Sequence, residues 1–207
     1  MKKTFFLISL AFVSIFLSLS AGSLSEIGFK ELVIQLSGKG NDMNGIILWQ
    51  VRLPRTIASI LVGSALGTSG ALLQSLLRNG LAGPFLLGIS AGSGLMVILS
   101  IVLGLYLAYI PLLAWFGAII TVLLVALISN SSNGLSIQKL ILSGVAISSL
   151  FGAIQSILLL GSDDSRIQTA LQWLIGSLNS IEWSLLLLCG GMIGVGLLGT
   201  LCILRSL

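Results

Sequence analysis

The chain has 207 residues, 56% hydrophobic and only 8% charged, with a mean hydropathy of +1.15, whereas a soluble domain carries about 25% charged residues. Its net charge of +4 is spread singly along the sequence and forms no basic patch interleaved with aromatics, which excludes a nucleic-acid-binding surface. Several apolar stretches reach the roughly 20 residues that cross a bilayer, so the composition predicts an all-α polytopic membrane protein, one transmembrane domain over 1–207.

Lys2 and Lys3 precede an apolar run from Phe5 to about Ala21. Alone it reads as a signal peptide, but the spans that follow favour an uncleaved first helix. Residues 22–51 are polar and mixed, and their EIGFKELVIQL piece reads as a short interfacial helix. A second span is expected at about 56–77, closed by the breakers Gly80, Gly83 and Pro84. A third runs over about 85–107. The fourth starts after Pro111, a favoured first-turn residue, and fades into the polar SNSSNG cluster. The fifth covers about 139–160. Next come Asp163, Asp164, Arg166, Trp173 and Trp183, the pattern of a loop and interfacial helix with aromatic anchors. The sixth span covers about 184–204.

With the N-terminus inside, basic residues divide evenly between the two sides, so orientation rests on the Lys2–Lys3 pair beside the first helix. Cys189 and Cys202 lie 13 residues apart on one expected helix, roughly 20 Å along its axis and beyond disulfide reach.

Enzyme chemistry finds little support. There is no histidine to serve as general base or metal ligand. The string GVGLLG at 194–199 matches the spacing of a dinucleotide fingerprint but lies inside an apolar span with no strand before it. Gly190, Gly191 and Gly194 instead suit close helix packing. Gly38–Lys39 lacks the earlier glycine of a phosphate loop, and Asp163–Asp164 are adjacent and do not face each other. No catalytic residue, metal ligand or cofactor is assigned.

Small residues recur every fourth position in two spans: Ser59, Gly63, Gly67 and Ala71 in the second, and Gly144, Ser148, Gly152 and Ser156, with Gln155 beside them, in the fifth. Such a stripe occupies one helix face. It serves either tight packing or a face turned to a solute pathway. Gln74 and Asn79 need partners in hydrocarbon. Arg52 and Arg55 at a span's mouth read as headgroup anchors, unless something more specific uses them.

The stretch beginning at Arg52, RLPRTIASILVGSALGTSGALLQSLLRNGLAGPFLLGISAGSGL, is specific. Together with LILSGVAISSLF at 140–151 and LQWLIGSLNSIEW at 171–183, it closely resembles the permease subunits of ABC importers for iron–siderophore complexes, haem and cobalamin, the FecCD-type family. The resemblance covers essentially the whole chain. It implies a ten-helix permease fold, of which six transmembrane helices are present, in a bacterial cytoplasmic (inner) membrane. The implied partners are a second permease subunit, two ATPase subunits that hydrolyse ATP, and a periplasmic or lipid-anchored substrate-binding protein.

The resemblance also implies site roles. Arg52 and Arg55 would face outward and grip carboxylates on the binding protein, a task suited to guanidinium forks. Gly144, Ser148, Gly152, Gln155 and Ser156 would line the translocation pathway, and Trp173 and Gly176 would belong to an outer gate. Asn79, Leu81, Ala82 and Pro84 match the family's N-P-L-A-x-P loop, with Gly80 in place of its first proline, a change that loosens the turn. Members run to about ten spans, so the expectation is an N-terminal portion lacking the coupling helices. The function expected is import of an iron(III)-siderophore or related metal chelate; the alternatives are a non-functional fragment or structural membrane protein, and a secondary transporter.

Overall fold

The computed structural model describes residues 2–20, 34–35, 43–131, 134–179 and 181–204. Five of its helices are long and apolar enough to span a membrane: Lys2–Ser20, Met43–Leu77, Ile110–Ser129, Ile137–Leu160 and Trp183–Cys202, with Ile89–Val102 a shorter apolar helix. The chain is a multi-pass membrane protein. Its contacts divide it into two compact units, Met1–Ala65 with Leu178–Leu207, and Leu66–Ser177.

In the first unit, α1 (Lys2–Ser20) exposes Phe5, Phe6, Phe12 and Leu17, side chains that belong against hydrocarbon. Its attachment is at its C-terminal end, where Ile15 and Leu19 pack on Leu48 and Leu53. The next helix, α2 (Met43–Leu77), starts a dozen residues earlier than the sequence suggests. Pro54 would ordinarily mark a helix mouth, since a proline ring clashes with the carbonyl four residues back. The chain avoids that clash by widening one turn: Leu48–Arg52 is a π-helix, and the Leu53 N–H donates to the Leu48 carbonyl. Arg52 and Arg55 therefore sit within a long helix and not at the end of a loop. The last helix of this unit, α7, covers Trp183–Leu204. Of its expected packing glycines, Gly190 meets the Leu61 side chain, with 3.3 Å left for a Cβ, whereas Gly191 and Gly194 face open space among the described residues.

In the second unit, α2 ends at Leu77 in a Schellman turn: Asn79 N–H donates to the Gln74 carbonyl at 3.1 Å and Arg78 N–H to that of Ser75 at 3.3 Å. The left-handed position that glycine usually fills is held by Arg78, with φ 47°. The expected third span is broken. Pro84–Leu87 forms a 3-10 turn, Gly88 turns the chain at φ 72°, and α3 covers only Ile89–Val102. Two longer helices follow, α4 (Ile110–Ser129) and α5 (Ile137–Leu160), close to their expected bounds. The polar stretch between them carries a two-residue antiparallel pair, β1 (Asn130–Ser131) with β2 (Gly134–Leu135). The interfacial helix α6 covers Asp164–Ile175. The other interfacial piece, EIGFKELVIQL, lies almost wholly outside the described residues.

Two apolar clusters hold this unit. One joins Leu77, Ala82 and Leu87 to Val125, Leu140 and Ile147; the other joins Val97, Ile98 and Ile101 to Ile110 and Ala170. Burying apolar side chains is a weak force between helices in lipid, so close backbone approach matters more. Glycines allow it here. A Cβ on Gly92 would collide with the Thr121 hydroxyl, and one on Gly117 would lie 2.5 Å from the Gly92 carbonyl. Gly144 abuts the backbone of Leu86 and Leu87 in the same way.

Candidate docking and pathway elements

The R-L-P-R motif follows the π turn, and the two arginines differ sharply in environment. Arg52 is 8% exposed, and its Nη1 donates to the carbonyls of Leu19 at 2.8 Å and Ser20 at 3.0 Å. These are the last carbonyls of α1, which have no partner within their own helix. Next to this contact, the Ser18 and Thr56 hydroxyls lie 2.8 Å apart. Arg55, one turn on, is half-buried; its Nη2 reaches the Asn179 carbonyl at 3.4 Å, and its buried Nε–H has no acceptor among the described residues. The Nη2 contact is long, so this end of the guanidinium retains the capacity to pair with a carboxylate. Trp183 lies in the same unit and donates its indole N–H to the Trp49 carbonyl at 3.0 Å.

Below Arg55, a cavity of about 130 Å³ opens between α2 and α7, lined by Ala58, Leu61, Val62, Leu185, Leu186 and Cys189 among others. None of these side chains offers a strong hydrogen-bonding group, so the cavity has no means of orienting a polar chelate.

On α5 the stripe divides. Gly144 is buried against the 86–87 backbone, and Ser148 stands beside Gly88, where a Cβ would be 3.0 Å from its Oγ. Gln155 donates Nε2–H to the Ala91 carbonyl at 2.8 Å. A Cβ on Gly152 would meet nothing within 4 Å, and Ser156 is exposed. The hydroxyls of Ser148 and Ser156 bond back to the carbonyls of Gly144 and Gly152, at 2.8 and 3.0 Å. They are thus satisfied within the helix and demand no water beside them. The structure places Gly144, Ser148 and Gln155 at a packed helix contact and leaves Gly152 and Ser156 open.

In the loop after α2, the Asn79 side-chain oxygen accepts from Leu81 N–H at 3.0 Å, and Ala82 N–H closes a β-turn onto the Asn79 carbonyl at 3.0 Å. Ala82 is buried, whereas Leu81 and Phe85 are 90% and 79% exposed. Trp173 packs on the cluster around Ile98 and Ala170. Gly176 ends α6 with φ 78° in open space. Arg166 on α6 donates to the Val102 carbonyl at 2.7 Å, serving the end of α3 as Arg52 serves the end of α1. Sequence reading missed Gly92, Gly117 and Thr121; the A-G-S-G run at 91–94 was the available signal.

A family model described as the FecCD transport family matches residues 10–207. The chain belongs to that family. It is 40% identical over 161 residues to the hemin transport system permease protein HmuU of Yersinia pestis, covering 74% of this chain and 47% of that one. Against the vitamin B12 import system permease protein BtuC of Klebsiella pneumoniae it is 35% identical over 170 residues, covering 81% and 48%. Against the iron-uptake system permease protein FeuC of Bacillus subtilis the figures are 32% over 192 residues, 88% and 57%. A solved inward-facing structure of an ABC transporter of metal-chelate type superposes with a TM-score of 0.76 at 32% identity, covering 90% of this chain and 56% of that one. The FecCD chain thus spans about half the length of the relatives it matches.

Proposed function

We propose that this chain forms part of the membrane channel of an ABC importer that carries an iron(III)-siderophore or related metal chelate into the cytoplasm. Membership of the FecCD family over residues 10–207 supports this reading. So does the likeness to permeases named for haem, vitamin B12 and iron. In this reading the protein sits in the bacterial inner membrane with Lys2 and Lys3 on the cytoplasmic side. A periplasmic or lipid-anchored binding protein delivers the chelate, a second permease subunit completes the channel, and two ATPase subunits hydrolyse ATP.

The observation that carries the docking role is the half-buried Arg55 guanidinium, whose Nη2 makes one long hydrogen bond, at 3.4 Å to the Asn179 carbonyl. A carboxylate on the binding protein pairs with the accessible part of this guanidinium, and its charge steers the encounter. Within the α5 stripe, Gly152 and Ser156 remain open to a passing solute, while Gly144, Ser148 and Gln155 fix the helix that presents them. Trp173 and Gly176 end the short helix after α5 and form part of an outer gate. The spans among the described residues hold no acidic side chain, which weighs against a secondary transporter coupled to protons or sodium.

The test is reconstitution of the complete importer in proteoliposomes with its ATPase and binding protein, followed by uptake of radiolabelled haem or a ferric siderophore. ATP-dependent uptake, lost with Arg55→Glu, is the expected result. Uptake driven by a proton gradient without the ATPase would replace this reading with secondary transport, and absence of any uptake would favour a structural role.

A further inference from the structure

We infer that the start of α1 is a binding site for an anionic phospholipid, with Lys2 and Lys3 holding the headgroup phosphate and Phe6 and Leu7 covering the first part of an acyl chain. This assignment needs only a bilayer around α1 and does not rest on the docking or pathway roles proposed above. Every residue of α1 from Lys2 to Ser14 is exposed. The helix is attached at its other end, where Ile15 and Leu19 pack on Leu48 and Leu53 and the Ser18 hydroxyl meets that of Thr56. Its 19 residues span about 28 Å, close to the roughly 30 Å of bilayer hydrocarbon. With Ser20 at one surface of the hydrocarbon, Lys2 and Lys3 therefore stand at the level of the phosphates on the other.

The two ammonium groups need a counter-anion there. Neither pairs with a carboxylate among the described residues, and the first acidic residue in the sequence is Glu26, beyond the far end of α1. Lys2 and Phe6 are four residues apart, as are Lys3 and Leu7, and the four side chains border one groove. Each cation thus has an apolar side chain one turn deeper in the membrane, about 6 Å along the axis. A phospholipid presents the same order, phosphate first and chain next. Inorganic phosphate meets the lysines but gains nothing from Phe6 and Leu7, and a zwitterionic lipid matches the apolar pair but brings no net charge. An anionic phospholipid satisfies both, and each lysine at a charged surface strengthens such binding about fivefold.

The test is lipid retention by the chain in detergent micelles, read by native mass spectrometry as dioleoylphosphatidylglycerol or dioleoylphosphatidylcholine is added. One phosphatidylglycerol should bind about tenfold or more tightly than phosphatidylcholine. Lys2→Gln with Lys3→Gln should abolish that preference, and Lys2→Arg with Lys3→Arg should keep it. Arg78→Gln with Lys139→Gln, which removes two other exposed cations, should leave it unchanged. Phe6→Ser with Leu7→Ser should weaken both lipids and preserve their ratio, and millimolar inorganic phosphate should displace neither. If the glutamine variant does not fold, photo-crosslinking of the unaltered chain to phosphatidylglycerol with a diazirine near its first chain carbons decides, since adducts should concentrate on residues 2–7. Equal retention of the two lipids, a preference that survives loss of both lysine charges, displacement by inorganic phosphate, or adducts spread evenly along α1 would each overturn the site.

Discussion

Gly144 of α5 and Leu86 of the preceding 3-10 turn meet backbone against backbone: a Cβ on the glycine would collide with the Leu86 carbonyl and lie 2.8 Å from the Leu87 Cα. Neither obstacle is the free end of a side chain, so the neighbour cannot swing aside. Gly144→Ala should therefore destabilise the chain by about 1–3 kcal/mol, the usual cost of overpacking. Gly152→Ala, two turns along the same stripe with nothing within 4 Å, should be near neutral. Thermal unfolding in detergent compares the two, and equal shifts would mean that the stripe is not divided as described.

The same contrast yields a transport prediction. Gly152→Leu adds bulk to an open position and should block uptake in the complete importer while leaving the melting temperature within a degree or two. Gln155→Leu should do the reverse, costing about 1 kcal/mol for the lost hydrogen bond to the Ala91 carbonyl. Uptake and melting curves on both variants would reveal any exchange of these roles.

Gly80 stands second in the turn closed by Ala82 N–H onto the Asn79 carbonyl, the position where proline is favoured. Its φ is not positive, and a Cβ there meets nothing within 4 Å. Gly80→Pro should thus stabilise the chain by about 0.4–1 kcal/mol through a less disordered unfolded state. A lowered melting temperature would show that the loop needs the freedom of glycine.

Arg166 offers a test of helix-end capping. Its hydrogen bond to the Val102 carbonyl is short, at 2.7 Å, whereas its approach to Asp163 is 3.9 Å between exposed side chains. Arg166→Gln should speed hydrogen exchange in the last turn of α3. Asp163→Asn should leave exchange there unchanged, because exposed ion pairs contribute little.

For docking, Arg55→Gln in the complete importer should weaken capture of the binding protein and flatten its salt dependence, as loss of a steering charge does. Titration at two ionic strengths measures both, and an unchanged slope would remove Arg55 from the interface.

Much of this was legible in the residues. Apolar length alone located α4, α5 and α7 within about two residues at each end. The errors share a cause: local signals were overruled by geometry. The second span is expected from about residue 56, but the π turn lets its helix run back past Pro54 to Met43. Leu103 and its neighbours are apolar enough to prolong the third span, yet Gly88 and the end of α3 at Val102 leave a helix of 14 residues. Spacing grouped Gly144 with Gly152, although only contact with Leu86 separates a packed glycine from an open one. Charge counting placed Arg52 beside Arg55, and burial divides them.

The widened turn at Leu48–Arg52 also changes how the helix must be read as a wheel. Holding one residue more than an α-turn, it rotates everything from Met43 to Ile47 by about 100° relative to the residues after Pro54. Deleting a single residue there would bring the two halves back into phase, swing Trp49 to a new azimuth and drive the proline ring against a backbone oxygen. The segment is thus a phase adapter, and its five-residue length is as much a part of the motif as the arginines it carries.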